Sequence, residues 1–152
     1  MIQTSHRVVD IDGHDIFYRE AGSRANPTVL LLHGAPSSSH MFRDLMPLLA
    51  DRYHLIAPDY LGFGYSDSPG VDEFDYTFDA LTDHVQSLLT MLDIDRYALY
   101  VQDYGAPVGW RLALQHPERV TAVITSERQC LHRGLLGSVL VSAVEVRRSA
   151  QS

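Results

Sequence analysis

The chain of 152 residues has no lysine: all twelve of its basic residues are arginine. Lysine codons are A-rich and most arginine codons are not, so this absence points to a GC-rich gene. There is one cysteine, Cys130, which excludes an internal disulfide framework and a thiolate metal cluster. Positive charge is also short, with 12 basic against 19 acidic residues and a net charge of −7. That balance argues against a nucleic-acid binder, which needs a basic patch. No apolar run approaches the roughly 18 residues of a membrane-spanning helix, so no membrane association is expected. The opening "MIQTSHRVVDIDG" lacks the apolar core and basic flank of a signal peptide. These absences leave a soluble cytoplasmic domain as the expectation, with no metal and no cofactor.

What remains is ordinary globular material, 45% hydrophobic and 20% charged, long enough for one domain with a sizeable core. "HRVVDIDG" and "HDIFYREAG" alternate around Gly13 and predict an antiparallel hairpin. "TVLLLHG" and "YHLIAPD" are continuous apolar runs, as in strands buried on both faces. Between them a helix is expected, opened by the serines at 37 to 39, with Phe42, Leu45, Leu48 and Leu49 inward and a bend at Pro47. Thr77 can cap a second helix whose apolar positions Phe78, Leu81, Val85, Leu88 and Leu92 keep the helical period. "RYALYVQ" predicts a strand, residues 104–116 a helix stopped by Pro117, and "RVTAVIT" another strand. Strands alternating with helices predict an α/β fold: a mostly parallel sheet of about six strands, helices on both faces, and an antiparallel edge in front.

Three segments carry the chemistry. "LLLHGAPSSS" ends a strand in His33-Gly34-Ala35-Pro36, which alone is only a turn signal. "APDYLGFGYSD" contains Gly62-x-Gly64 but lacks the third glycine and immediate helix of a dinucleotide site. In "YVQDYGAPVGW" a strand turns sharply into a helix with Asp103 at the apex. Such a turn lifts the apex side chain above the sheet and aims the next backbone N–H at the same space. The helix N-terminus favours an anion there, although Asp is also a common helix cap.

Together, from about His6 to Thr125, these segments resemble the N-terminal half of the α/β-hydrolase fold. They resemble in particular its aspartate-nucleophile branch, the epoxide hydrolases and haloalkane dehalogenases. The resemblance implies that Asp103 is the nucleophile and that the backbone N–H groups of Ala35 and Tyr104 form the oxyanion hole. It implies that His33, Gly34, Pro36 and Gly105 shape the surrounding loops, and that "DYLGFGYSD" is the loop after the family's fourth strand.

A carboxylate at the apex makes chemical sense. Aspartate in water has a pKa of about 3.9 and is ionised at neutral pH without help from a base. It can attack an sp³ carbon, opening an epoxide or expelling a halide, and become an ester. Water activated by a histidine then hydrolyses that ester, with the oxyanion hole stabilising the tetrahedral intermediate. The partner implied is therefore a small apolar epoxide or haloalkane. Dehalogenases of this branch hold the halide with side-chain donors, often a tryptophan after the nucleophile. Here Tyr104 follows Asp103 and Ala35 offers no donor, while Val-Gln-Asp leans the other way; the expectation is an epoxide hydrolase, with haloalkane dehalogenase as the alternative. An ester or lactone hydrolase in which Asp103 is only a cap, and a non-catalytic binding remnant, are the remaining readings.

The family continues with a cap, two more strands, an acid and a base histidine. None of the seven histidines at positions 6 to 116 matches that base, and His132 sits in an anomalous tail. Residues 1–125 carry 8 arginines against 17 acids; residues 126–152 carry 4 against 2 and no aromatic. Back-translated with permitted codons and read one base later, "SERQCLHRGLLGSVLVSA" becomes "ANGNAYTEGFWDPFWSA". That string resembles the "NGNAY…EG…FWDP" stretch which follows the sixth strand in such hydrolases. The tail is therefore expected to derive from a one-base frameshift, leaving the C-terminal strands and cap missing, turnover absent, and apolar faces uncovered for self-association. The simpler alternative is a genuine apolar helix or strand.

Overall fold

A computed structural model describes residues 2–126 and 141–144 of the chain. The N-terminal strands β1 (Ser5–Ile11) and β2 (His14–Ala21) form the expected hairpin, closed by Asp12 and Gly13. Both turn residues have positive φ, 54° and 84°, which is the two-residue turn whose twist matches the flanking strands. Next come β3 (Thr28–Leu32), a 3₁₀ turn (Ser39–Phe42), α1 (Leu45–Leu49) and β4 (His54–Pro58). The chain continues through α2 (Phe78–Met91), β5 (Tyr97–Val101), α3 (Gly105–Gln115) and β6 (Val120–Ser126). The sheet order is β1-β2-β4-β3-β5-β6, parallel from β4 to β6 and antiparallel at the β1-β2 edge. This is the mostly parallel six-strand sheet that the alternation predicted.

A short β7 (Val141–Val144) adds to the far edge, antiparallel to β6. Of residues 126–152, only Ser126 and this strand are described. His132, Cys130 and most of the supposed frameshifted tail lie outside the described residues.

Strand periodicity sorts the core into two layers. On β3, Leu30 and Leu32 face one side with Ile56, Leu99, Val101, Leu88, Val108 and Leu112, under α2 and α3. Val29 and Leu31 face the other side with Leu55, Ala57, Phe42 and Met46, under the 3₁₀ turn and α1. Thr77 caps α2 as predicted, its hydroxyl accepting from Ala80 N, and Leu81, Val85 and Leu88 are buried.

The helix after β3 departs from expectation. Ser38 does open it, accepting from His40 N, but the helix breaks at Arg43 and Asp44 and restarts at Leu45. The restart changes the phase: Met46 is fully buried and Leu48 is 75% exposed, not inward. Pro47 lies in the first turn of the second piece, where its missing N–H costs no intrahelical bond, so no bend is required.

An ion cluster fastens the hairpin to β4. Buried Glu20 lies 2.7 Å from Arg7 Nε, 3.1 Å from Arg24 Nε and 2.9 Å from His54 Nε2. Burial alone would push the Glu20 carboxyl up, but the bonds and charges from His54, Arg24 and Arg7 outweigh it and hold it below its ordinary value. The unfolded chain then binds that proton more tightly than the folded one. Glu20's contribution to stability is full above pH 4.5, its ordinary value, and is lost as pH falls through the folded value. Glu20→Gln is expected to cost about 1–3 kcal/mol at neutral pH. It should also flatten the acid limb of a Tm-versus-pH curve, and an unchanged acid limb would contradict the cluster's role.

Candidate active site

Asp103 stands at the apex between β5 and α3 with φ 51°, a left-handed conformation that Asp tolerates better than most side chains. The turn is closed by Gly105 N donating to Gln102 O at 2.8 Å and by Ala106 N donating to Asp103 O at 2.9 Å. α3 starts tight against β3: a Cβ on Gly105 would lie 2.3 Å from the Leu32 carbonyl oxygen, and one on Gly109 would lie 2.5 Å from Val101 Cγ1. The two glycines let the helix approach the sheet and set the apex in place.

The Asp103 carboxylate accepts two backbone N–H groups, both at Oδ1: Tyr104 at 2.7 Å and Ala35 at 3.0 Å. An ordinary helix cap would accept from the second or third helical residue. Here α3 is capped by Tyr104 with no side-chain bond, and Asp103 reaches across to the loop after β3 instead. Oδ2 has no hydrogen-bond partner among the described residues, and no histidine bonds either oxygen. Gly34 makes the approach feasible, because a Cβ there would lie 2.6 Å from Asp103 Cβ.

The loop that presents Ala35 is braced at Gly34, whose carbonyl accepts from Ser37 N at 3.0 Å and from His33 Nδ1 at 2.9 Å. The carbonyl can only accept, so Nδ1 carries the proton and Nε2 is free to accept from Tyr60 N at 3.4 Å. Burial pushes the His33 pKa down, against smaller opposing effects of the Gly34 bond and Asp59. His33 is thus a neutral brace with both ring nitrogens occupied. Its ring packs on Tyr60 at 4.3 Å and on Phe63 at 5.5 Å. Pro36 is exposed and follows a cis peptide bond from Ala35. The structure therefore brings His33, Gly34, Ala35, Asp103, Tyr104 and Gly105 together, with Pro36 at the rim.

Sequence reasoning passed over Asp59. It is buried at the end of β4, where Oδ1 accepts from Ser39 N at 2.6 Å and Oδ2 from Tyr65 N at 2.9 Å. Gly64, at φ 56°, leaves room for it, since a Cβ there would lie 1.9 Å from Oδ2. An acid closing an apolar run just before a Gly-x-Gly loop was the available signal. Beside the apex, Tyr104 packs edge-on against Phe78 at 5.1 Å and Phe63 at 6.2 Å, which gives the site an aromatic flank.

Among the described residues, no group of three or more His, Cys, Asp or Glu side chains could hold a metal ion. No helix among them is long and apolar enough to cross a membrane.

Comparison with known proteins agrees with this architecture. The family model described as the alpha/beta hydrolase fold matches residues 27–136. An uncharacterized hydrolase of Saccharomyces cerevisiae, YNR064C, is 46% identical over 135 residues, covering 89% of this chain and 46% of the yeast protein. The haloalkane dehalogenase DbeA of Bradyrhizobium elkanii superposes with a TM-score of 0.76 at 35% identity, over 81% of this chain and 41% of DbeA. An epoxide hydrolase mutant of Vigna radiata superposes with a TM-score of 0.75 at 31% identity, over 87% of this chain and 41% of that enzyme. The chain thus spans less than half the length of these relatives. Its sheet order, its strand–Asp–helix elbow and the matched family model agree: the chain belongs to the α/β-hydrolase fold family.

Proposed function

We propose that Asp103 is the nucleophile of a hydrolase that forms an alkyl ester and that its substrates are small apolar epoxides. The observation that carries this reading is the asymmetry of the carboxylate. Oδ1 accepts both backbone donors, and among the described residues Oδ2 accepts no hydrogen bond. In the proposed first step, Oδ2 bonds to a ring carbon while the carbon–oxygen bond of the epoxide breaks. The electron pair goes to the epoxide oxygen, which takes a proton from water. Oδ1 becomes the ester carbonyl, already within the two N–H groups that would stabilise the oxyanion when water attacks Cγ. Losing one such donor typically costs about 10²–10³ in rate.

No histidine bonds Asp103 in the described residues, so ester hydrolysis lacks a base there. We propose that the 152-residue chain, assayed as it stands, stops at the ester. Incubated with styrene oxide, it is expected to gain one substrate mass per chain by intact mass spectrometry, mapped to the peptide containing Asp103. Asp103→Asn, which keeps the shape and the tolerance of positive φ, should gain none. No adduct from either an epoxide or a bromoalkane would remove the nucleophile reading; diol produced over many turnovers would remove the stalled-ester reading.

Haloalkane dehalogenase is the second reading, favoured by the 35% identity to DbeA. There the carbon–halogen bond breaks and halide leaves with its electron pair. An adduct from 1-bromobutane with release of bromide, and none from the epoxide, would select it.

The frameshift origin of residues 126–152 also stands as a proposal, and resequencing the gene from codon 115 onward tests it. Trp110 and Leu114, one turn apart on α3, are 42% and 82% exposed, and Met91 on α2 is 54% exposed. We propose self-association through these apolar surfaces. Sedimentation should show a mass that rises with concentration, and Leu114→Glu should reduce it.

A further inference from the structure

Away from Asp103, a narrow cavity lies between α2 and the end of β4. Its lining includes Ile16, Tyr60, Leu81, His84, Val85 and Leu88. Measured as space open to the centre of a water molecule, its volume is about 10 Å³. That is the size at which a cavity holds a single water.

Two of the lining residues carry buried side-chain polar atoms with no partner among the described residues. Tyr60 is 2% exposed and its hydroxyl is buried without a hydrogen bond among the described residues; His84 Nε2 is likewise buried with no hydrogen-bond partner among them. The pair is complementary. His84 Nδ1 lies 3.0 Å from the Ala80 carbonyl, so it carries the proton, and Nε2 of the neutral ring is an acceptor. The Tyr60 hydroxyl is a donor, and burial keeps it protonated by pushing its pKa above the usual phenol range. Leaving both unbonded would cost about 1–3 kcal/mol each, and native structures rarely leave such groups without a partner. A purely apolar cavity of this size would stay dry; residues that carry one unpaired donor and one unpaired acceptor supply the two polar partners that a buried water needs.

We propose that this cavity is the binding site of one structural water, which accepts a hydrogen bond from the Tyr60 hydroxyl and donates one to His84 Nε2. The water joins α2 to the segment after β4. Because the Tyr60 ring packs on His33 at 4.3 Å and Tyr60 N bonds His33 Nε2, the same bridge steadies the brace behind Ala35. This inference is independent of the chemistry assigned to Asp103.

A high-resolution crystal structure of the chain is expected to show one full-occupancy water within hydrogen-bonding distance of both atoms. An empty cavity, or a direct Tyr60–His84 bond, would overturn the proposal. In solution, Tyr60→Phe and His84→Leu each break the bridge, so their costs should not add. The unfolding constants of the two single variants and the double variant should depart from additivity by at least about threefold. Additive costs would also overturn it, since two independent side chains filling space would give that result.

Discussion

Gly105→Ala lowers the stability of this chain by about 3 kcal/mol or prevents folding, although alanine is the better helix former. Intrinsic propensity favours the change by at most about 1 kcal/mol. Against that, the new methyl would meet the Leu32 carbonyl oxygen at 2.3 Å and the Leu32 carbonyl carbon at 2.8 Å. These are backbone atoms of a central strand, so no rotamer change can relieve the clash, and β3 or α3 must move. Overpacking of this kind costs typically 1–3 kcal/mol and occasionally more, from a total that is itself about 5–15 kcal/mol. Gly70→Ala is the control, since its Cβ would meet nothing within 4 Å among the described residues, and it should change stability by less than about 0.5 kcal/mol. Urea unfolding of the two variants beside the parent decides the matter. Equal midpoints would mean that α3 does not depend on its close approach to β3.

The second large effect is expected at Asp59. Truncation to alanine leaves Ser39 N and Tyr65 N, bonded at 2.6 and 2.9 Å, without their acceptor. Each stranded donor costs about 1–3 kcal/mol if no water reaches it. Asp59→Asn keeps one carbonyl oxygen and should recover part of the loss, because only one donor then lacks its acceptor. The local readout is sharper than the global one. Amide exchange of Tyr65 and Ser39 should speed up in Asp59→Ala, while exchange of Leu99 in the central sheet should follow only the overall loss of stability. If Tyr65 and Ser39 keep their protection, the carboxylate is not what ties the 59–67 loop to the 3₁₀ turn.

The elements legible in the sequence are those with a local cause. Asp12-Gly13 states the hairpin by turn chemistry alone, Thr77 announces α2, and the apolar runs of β3 and β4 show burial on both faces. Asp103 was visible for the same reason: strand, apex and helix are contiguous, so the turn is written in a few successive residues. Leu48 lies outward, and helical periodicity carries no sign of the broken phase that puts it there; the break at Arg43 and Asp44 leaves Phe42 and Met46 both buried. Asp59, Tyr60 and His84 were passed over because their significance depends on partners brought close only by the fold: Ser39 lies 20 residues from Asp59. The antiparallel β7 has no turn signal of its own and is defined by pairing with β6. The donor role of Ala35 came from resemblance, and its contact with Asp103 spans 68 positions.

A free carboxylate has two equivalent oxygens that exchange places whenever the group rotates. At Asp103 that symmetry is broken, because Oδ1 is bonded by two amides that belong to separate segments of the backbone. Negative charge is drawn toward the oxygen that is already occupied, while the other keeps its lone pairs exposed. Rotation about Cβ–Cγ would require both amides to let go at once, so the two oxygens keep distinct positions while those bonds last. Any partner arriving at this apex therefore meets a group with a fixed inside and outside, and its approach is limited to one of them.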